Sequence, residues 1–501
     1  MGALTVAELS NSAAQAAEPA RTSRYMPKPG GVDPLGLRQI NFDLMDEVLP
    51  GVNNVAQHIR PFTVVTWAWH RAAICARKLG KTSIFVAELQ DFVDRVEVIY
   101  TWSQFLRNPT ASLPGRDVLA PIIADKGYVF GGDEWRRRKE IRRYSTSLSA
   151  PVNYGPGLKS LGWLAPDPKG TGAMIPNPAA GNALAAFEEE IASHLNHAAF
   201  NQFGAVELTS SEVEKLAENW ALEQPTLAER QFTAEALFGE FAPPKRRGGT
   251  KLVISAIEYF GSSVDVNAVR RTMCGAPTNF NPSLDLQPFE QAWRTLQIRQ
   301  VFRLVLEALF HWTVLQLDDG PKTTKALVRL FLEKSGDAPS ASEWFGSVDQ
   351  EFLGPVDWLD RLALTLSNQG KIDELPGLIR AALAACITEA PDKPGFERHD
   401  RLPLARARSE VKARQNEPAD VFLVHVLESW VFGQHVYWSL GRGLADARAR
   451  DKTILRLKVI LEESGWTLAP GVAANQRNAP SATPDRLETM ISLLREAGAI
   501  L

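Results

Sequence analysis

The segment DVFLVHVLESWVFGQHVYWSL, Asp420 to Leu440, is apolar nearly all the way round when wound as a helix. A surface helix needs one wet face, so a helix of this kind must be enclosed by others. The chain supplies candidates for that shell. Phe289, Trp293, Leu296, Leu304, Ala308, Trp312 and Leu315 recur at helical spacing between Pro288 and Gly320; at 1.5 Å per residue they predict a spine of about 45 Å. From Asn182 onward, Leu184, Phe187, Ile191, Leu195 and Ala198 share one helical face, with Asn177 placed to cap it and Pro178 in its first turn. Strand-like alternation is sparse, and no segment repeats at a fixed period. The expected class is mainly α: a helical protein of several subdomains with small β elements.

Breaks rich in proline and glycine near 148–181, 242–249, 275–288, 390–396 and 469–484 mark the natural joints. They divide the chain into a flexible tail over 1–30, an N-terminal helical subdomain over 31–130, and a basic helix with a hairpin over 131–205. A central helical subdomain over 206–395 and a C-terminal one over 396–501 complete it. The tail is rich in Ala, Ser and Pro and has no sustained period.

A net charge of -3 over 501 residues gives no global attraction to nucleic acid or to an acidic membrane, so any such binding must come from local patches. Cys75, Cys274 and Cys386 are far apart and form no C-x-x-C pair, as expected of a chain in the reducing cytoplasm. The start of the sequence lacks the pattern of a secretory leader. The spine carries Arg294, Arg299, Arg303 and Glu307, which argues against a membrane span. No membrane partner is expected.

The stretch LGWLAPDPKGTGAMIPNPAAGNALAAFEEEI, Leu161 to Ile191, departs from the helical pattern. LGWLAP and GAMIP suit two short strands and DPKGTG their turn, with Gly170 and Gly172 supplying turn flexibility and Lys169 at the tip. A helix would have to absorb Pro166, Pro168 and Pro176. Upstream, DEWRRRKEIRRYSTS packs Arg136, Arg137, Arg138, Lys139, Arg142 and Arg143 into eight residues, a density that can neutralise several phosphates. With Lys169 these form the candidate DNA-binding set, and residues 161–176 read as winged-helix-like. The departure is the helix before the hairpin, where Pro151, Gly155, Pro156 and Gly157 leave room for about one turn. A structural hairpin beside a solvated basic helix therefore stands as the other reading. Further basic runs at Lys245, Arg246 and Arg247, and at Arg398, Arg401, Arg406, Arg408, Lys412 and Arg414, add candidates for phosphate contact, although charge runs of this kind are more often simply solvated.

No catalytic residue is assigned. CARKLGKTS ends like a phosphate-binding loop, but Cys75 stands where that loop needs glycine and the preceding segment reads as helix. Glu190, His194 and His197 share a helical face on which a divalent metal could sit if another element supplied ligands. His425, Glu428 and His435 lie on the apolar helix, where core hydrogen bonds are the simpler account. Asp392, Glu410 and Lys412 match the loose spacing of restriction-type nucleases, but that chemistry needs adjacent strands and PLARARSEVKARQ reads as helix. No motif calls for a cofactor or a metal.

LPGVNNVAQHIRPFTVVTWAWHRA, GLKSLGWLAPD and ESWVFGQHVYWSL together resemble an uncharacterised family of large helical bacterial proteins encoded near restriction, helicase and phage-defence genes. The resemblance implies genomic company and no activity. Phe62, Trp67, Trp69 and Trp102 within it read as core anchors more simply than as a base-stacking platform. The expected function is that of a non-catalytic subunit of a bacterial defence or DNA-processing system. Such a subunit binds DNA non-specifically through basic patches and other subunits through helical faces. The alternative is a metal-dependent nuclease.

Overall fold

A computed structural model describes residues 33–80, 85–115, 127–131, 135, 137, 147–261, 265–275, 279–346, 354–388, 401–441, 456–470, 472 and 479–500. The architecture is mainly helical. Among the described residues there are six strands of three or four residues, paired as three two-stranded antiparallel sheets. The backbone groups into two compact units, each assembled from three separate stretches of chain. One comprises 1–44, 270–279 and 290–483; the other comprises 45–269, 280–289 and 484–501.

The first unit is built on the expected spine, helix Gln287–Gln316, followed by a 3-10 turn that ends at Gly320 with φ +116°. The spine is enclosed on nearly every side from Ala292 to Val314. Its charges lie inside too: Arg303 pairs with Glu307 at 2.7 Å, one turn away, with both side chains at most 1% exposed. Arg303 also donates to the carbonyl of Ser481. Burial raises the Glu307 carboxyl, while Arg303 opposes that shift.

The apolar segment expected to be fully enclosed keeps an open face. It runs as helix Ala419–His425, a π-helical segment Val426–Gly433, and a helical stretch over 434–441. Phe422, Val426, Trp430 and Val431 are buried, but Val421, Glu428, Ser429 and Gly433 face solvent. The wider turn brings the Glu428 carbonyl to within 2.7 Å of where a Cβ at Gly433 would stand, so glycine suits that position.

His435 is fully buried in this unit as a neutral ring. Nδ1 is 2.9 Å from the Pro34 carbonyl, and Nε2 accepts from the Lys458 amide at 2.9 Å. Burial pushes it down to about 4, and burial with the nearby Lys458 charge does the same to His311.

In the second unit, helices Arg60–Lys78 and Val86–Arg107 pack together, with helix Ser210–Ala217 against the latter. Helix Leu227–Phe238 lies against Gly181–Glu190 and Pro244–Phe260. Phe62, Trp67, Trp69 and Trp102 are all buried, as expected of core anchors. The start of helix Arg60–Lys78 is closed by Glu496, which accepts from the Ile59 amide at 2.7 Å and sits 2.6 Å from His58 Nδ1. Helix Pro244–Phe260 crosses the chain at Val48 so closely that any Cβ at Gly249 would collide with the Val48 carbonyl.

The long helix expected from Asn182 through Ala198 is broken. Helix Gly181–Glu190 stops, a 3-10 turn Ala192–His194 follows, and a new helix Ala198–Asn201 starts with His197 as its cap. Arg71 secures the break by donating to the carbonyls of Leu195 and Phe200. Asn177 caps the entry as read, accepting from the Ala179 amide.

The two buried histidines define a pH dependence. A ring held near 4 in the folded state, against about 6.5 unfolded, contributes stability that is present above about pH 6.5 and is lost as pH falls toward 4. Urea unfolding of the first unit across this range should lose about 1.4 kcal/mol per pH unit for each ring. His435→Gln should remove one ring's share of that slope.

Candidate functional site

The hairpin forms where its turn chemistry places it. Leu164–Pro166 pairs with Met174–Pro176 in the register Leu164↔Pro176, Ala165↔Ile175 and Pro166↔Met174. Asp167 organises the tip. Its carboxylate accepts from the Lys169 amide at 3.1 Å and from Thr171 Oγ1 at 2.6 Å, and these bonds hold it below the usual carboxylate range. Gly170 and Gly172 adopt φ of +67° and +84°, a left-handed backbone that favours glycine. At the base, Trp163 is fully buried, stacked on Phe62 and set edge-on to Phe232 at 4.5 Å. The hairpin is therefore an arm with a core anchor and a hydrogen-bonded tip, and Lys169 is exposed at its end.

The helix before it, Gly155–Ser160, has six residues and presents one exposed cation, Lys159. Gly157 lies against the Phe62 ring and Leu158 is buried. Of the upstream basic run, Trp135 is buried against Phe130 and Arg137 is exposed, both with helical backbone. Arg136, Arg138, Lys139, Arg142 and Arg143 lie outside the described residues.

Most members of the two further basic runs have partners within the protein. Lys245 pairs with Glu47 at 2.5 Å, and Arg247 donates to the carbonyls of Glu240 and Ala242. Arg401 is buried, donating to the Gly36 carbonyl over the Trp438 ring, and Arg408 donates to the Cys386 carbonyl. Arg406 and Arg414 pair with Glu410 and Glu417. Lys412 is exposed, and Arg398 lies outside the described residues.

Beside the hairpin base opens a cavity of about 410 Å³ that sequence reasoning missed. One wall is the strand root and the helix that follows it, with Leu161, Asn177, Ala179 and Ala183. The other is helix Leu227–Phe238, which presents Ala228, Gln231, Phe232, Glu235 and Ala236. Phe241, 90% exposed, and Arg246, 3% exposed, complete it. Arg246 donates from Nε to the Ala236 carbonyl at 2.8 Å and from Nη1 to the Ser160 carbonyl at 2.9 Å. Burial alone brings it down to about 10. The signal in the sequence was the face Arg246, Gly249, Val253 and Ile257, a buried stripe that places this arginine inside rather than in a solvated run.

The candidate metal residues are engaged elsewhere. Glu190 pairs with Arg60 at 2.7 Å, His194 Nε2 meets Asn219 Nδ2 at 2.9 Å, and His197 Nδ1 accepts from the Ala199 amide. Among the described residues, no three His, Cys, Asp or Glu side chains converge as a metal site. No described helix is long and apolar enough to cross a membrane.

Glu410 sits on helix Leu404–Ala413, as its sequence reads, and Asp392 lies outside the described residues. The structure brings Glu410 to His425. Oε2 is 2.9 Å from His425 Nε2 and accepts from Trp430 Nε1 at 2.6 Å, while Oε1 accepts from Arg406. Burial would raise this carboxyl, but the bonds from Trp430, His425 and Arg406 outweigh it and hold it at about 2. Ser429 Oγ lies 3.3 Å from the other ring nitrogen of His425. This network fastens the π-helical segment to its neighbouring helix.

No family model, curated protein or solved structure matches the chain.

Glu410→Ala removes the acceptor of the Trp430 indole and of Arg406, and should cost about 2 kcal/mol in urea unfolding. Glu410→Gln, which keeps one carbonyl acceptor, should cost less.

Proposed function

We propose that this chain is a non-catalytic subunit of a bacterial defence or DNA-processing assembly that binds duplex DNA without sequence preference. The observation that carries the reading is the mounting of its cations. Arg137 is exposed next to the buried anchor Trp135, and Lys169 stands at the tip of an arm rooted by Trp163. An anchored backbone spares the cost of ordering the segment that carries the cation, and phosphate contacts position a protein without reading bases. The density of positive charge from Arg136 to Arg143 supplies further contacts on the same run. The resemblance of three sequence segments to proteins encoded near restriction and phage-defence genes supports the biological setting. Helical faces would hold the other subunits.

The test is charge removal. Arg137→Ala, Arg142→Ala and Lys169→Ala combined should weaken duplex binding by about tenfold or more at moderate salt and flatten the salt dependence. Thermal stability should change little, because both described side chains are exposed. Parental affinity in the triple variant contradicts the reading.

A further inference from the structure

Arg246 is a buried cation. Only 3% exposed, it meets carbonyl oxygens on Nε and Nη1, and among the described residues no carboxylate pairs with it. Among the described residues its Nη2 has no hydrogen-bond partner, and the side chain lines the cavity beside the hairpin. Carbonyl dipoles stabilise a guanidinium but leave its unit charge uncompensated in a medium where charge is costly.

The cavity around it is otherwise built for an apolar body. Its walls are kept back by small side chains, Ala179, Ala183, Ala228 and Ala236, and floored by Leu161 and the Phe232 ring. Phe241 stands at the edge 90% exposed, a large apolar surface left in water next to an apolar hollow. Asn182 and Gln231, both exposed, carry carboxamides that bond nothing among the described residues and line the same space. About 410 Å³ lies in the range of sites for small molecules, which combine apolar walls with a few placed polar groups.

We propose that this cavity binds a small amphipathic carboxylic acid, its carboxylate on the free edge of Arg246 and its apolar body between Phe232 and the alanine-lined walls, with Phe241 closing over it. The charge count selects the head group. Arg246 can pair with one negative charge, and Glu235 also lines the hollow, so a head group with a single charge is the most the site accommodates. A phosphate monoester brings nearly two charges into a hollow that already has Glu235 on its wall. A neutral amide could accept the same hydrogen bond but would leave Arg246 uncompensated.

The inference is independent of the DNA-binding reading, and its test contains no nucleic acid, so either can fail alone. Calorimetry on the full chain would use 4-phenylbutyrate and decanoate as probes, with 4-phenylbutyramide and inorganic phosphate as controls. Because Arg246 also holds backbone carbonyls together, the site is altered through Ala228→Met, which fills the cavity from a half-buried helical position, and Phe241→Ala at the exposed rim. Both acids should bind with sub-millimolar affinity, and the amide about tenfold or more weaker. Ala228→Met should weaken the acids by about tenfold, and Phe241→Ala by several-fold with the parental melting temperature. The proposal is overturned if neither acid binds, if the amide or phosphate alone binds as well as the acids, or if both variants bind the acids as the parent does.

Discussion

Buried guanidinium groups that donate to backbone carbonyls tie the helix ends and loops of this protein together. Arg95 is the fullest case. Only 3% exposed, it donates to the carbonyls of Ala199, Gln202 and Gly204, with its guanidinium over the Phe92 ring. Those acceptors lie at and beyond the end of helix Ala198–Asn201, where carbonyls have no partner in their own helix. Arg71, Arg246, Arg380 and Arg401 do the same elsewhere, each reaching a segment distant in sequence or a turn that would otherwise hold orphaned acceptors. The planar fork suits this work, because its donors lie in one plane at fixed angles and can serve several acceptors at once.

This use of arginine changes how charge in the sequence must be read. A run such as Lys245, Arg246, Arg247 looks like a patch facing solvent, yet its three members pair with Glu47, line a cavity and close a turn. Arg137 and Lys169 are exposed, the first next to the buried Trp135 and the second beyond the buried Trp163. Arg246, a buried arginine with no carboxylate pair among the described residues, lines a cavity with room for a small molecule.

The hairpin was legible in the sequence because its causes are local: prolines that forbid helix, two glycines at left-handed positions, and an aspartate that closes the turn on Thr171. The spine was legible for the same reason, a sustained helical stripe between Pro288 and Gly320. What escaped depends on residues far apart. The break at Ile191 in the stripe beginning at Asn182 is held by Arg71, more than a hundred positions earlier, and by the His197 cap. The open face of the helix over 420–440 arises from a π-helical turn secured by Glu410, which no periodicity reports. The cavity depends on the side of helix Pro244–Phe260 that faces inward, and that is set by the close crossing at Gly249. Each unit is assembled from three stretches, so no single change in composition announces it.

The most direct measurement of the role given to buried arginine is equilibrium unfolding of Arg95→Met beside Arg95→Lys. Methionine preserves the apolar stem but removes the donors to three carbonyls, and should cost about 3 kcal/mol or more. Lysine restores a charge without the fork, and should recover only part of that loss. Amide exchange in the segment 199–204 should quicken in both variants. An Arg95→Met protein with parental stability and unchanged exchange in that segment would contradict the account.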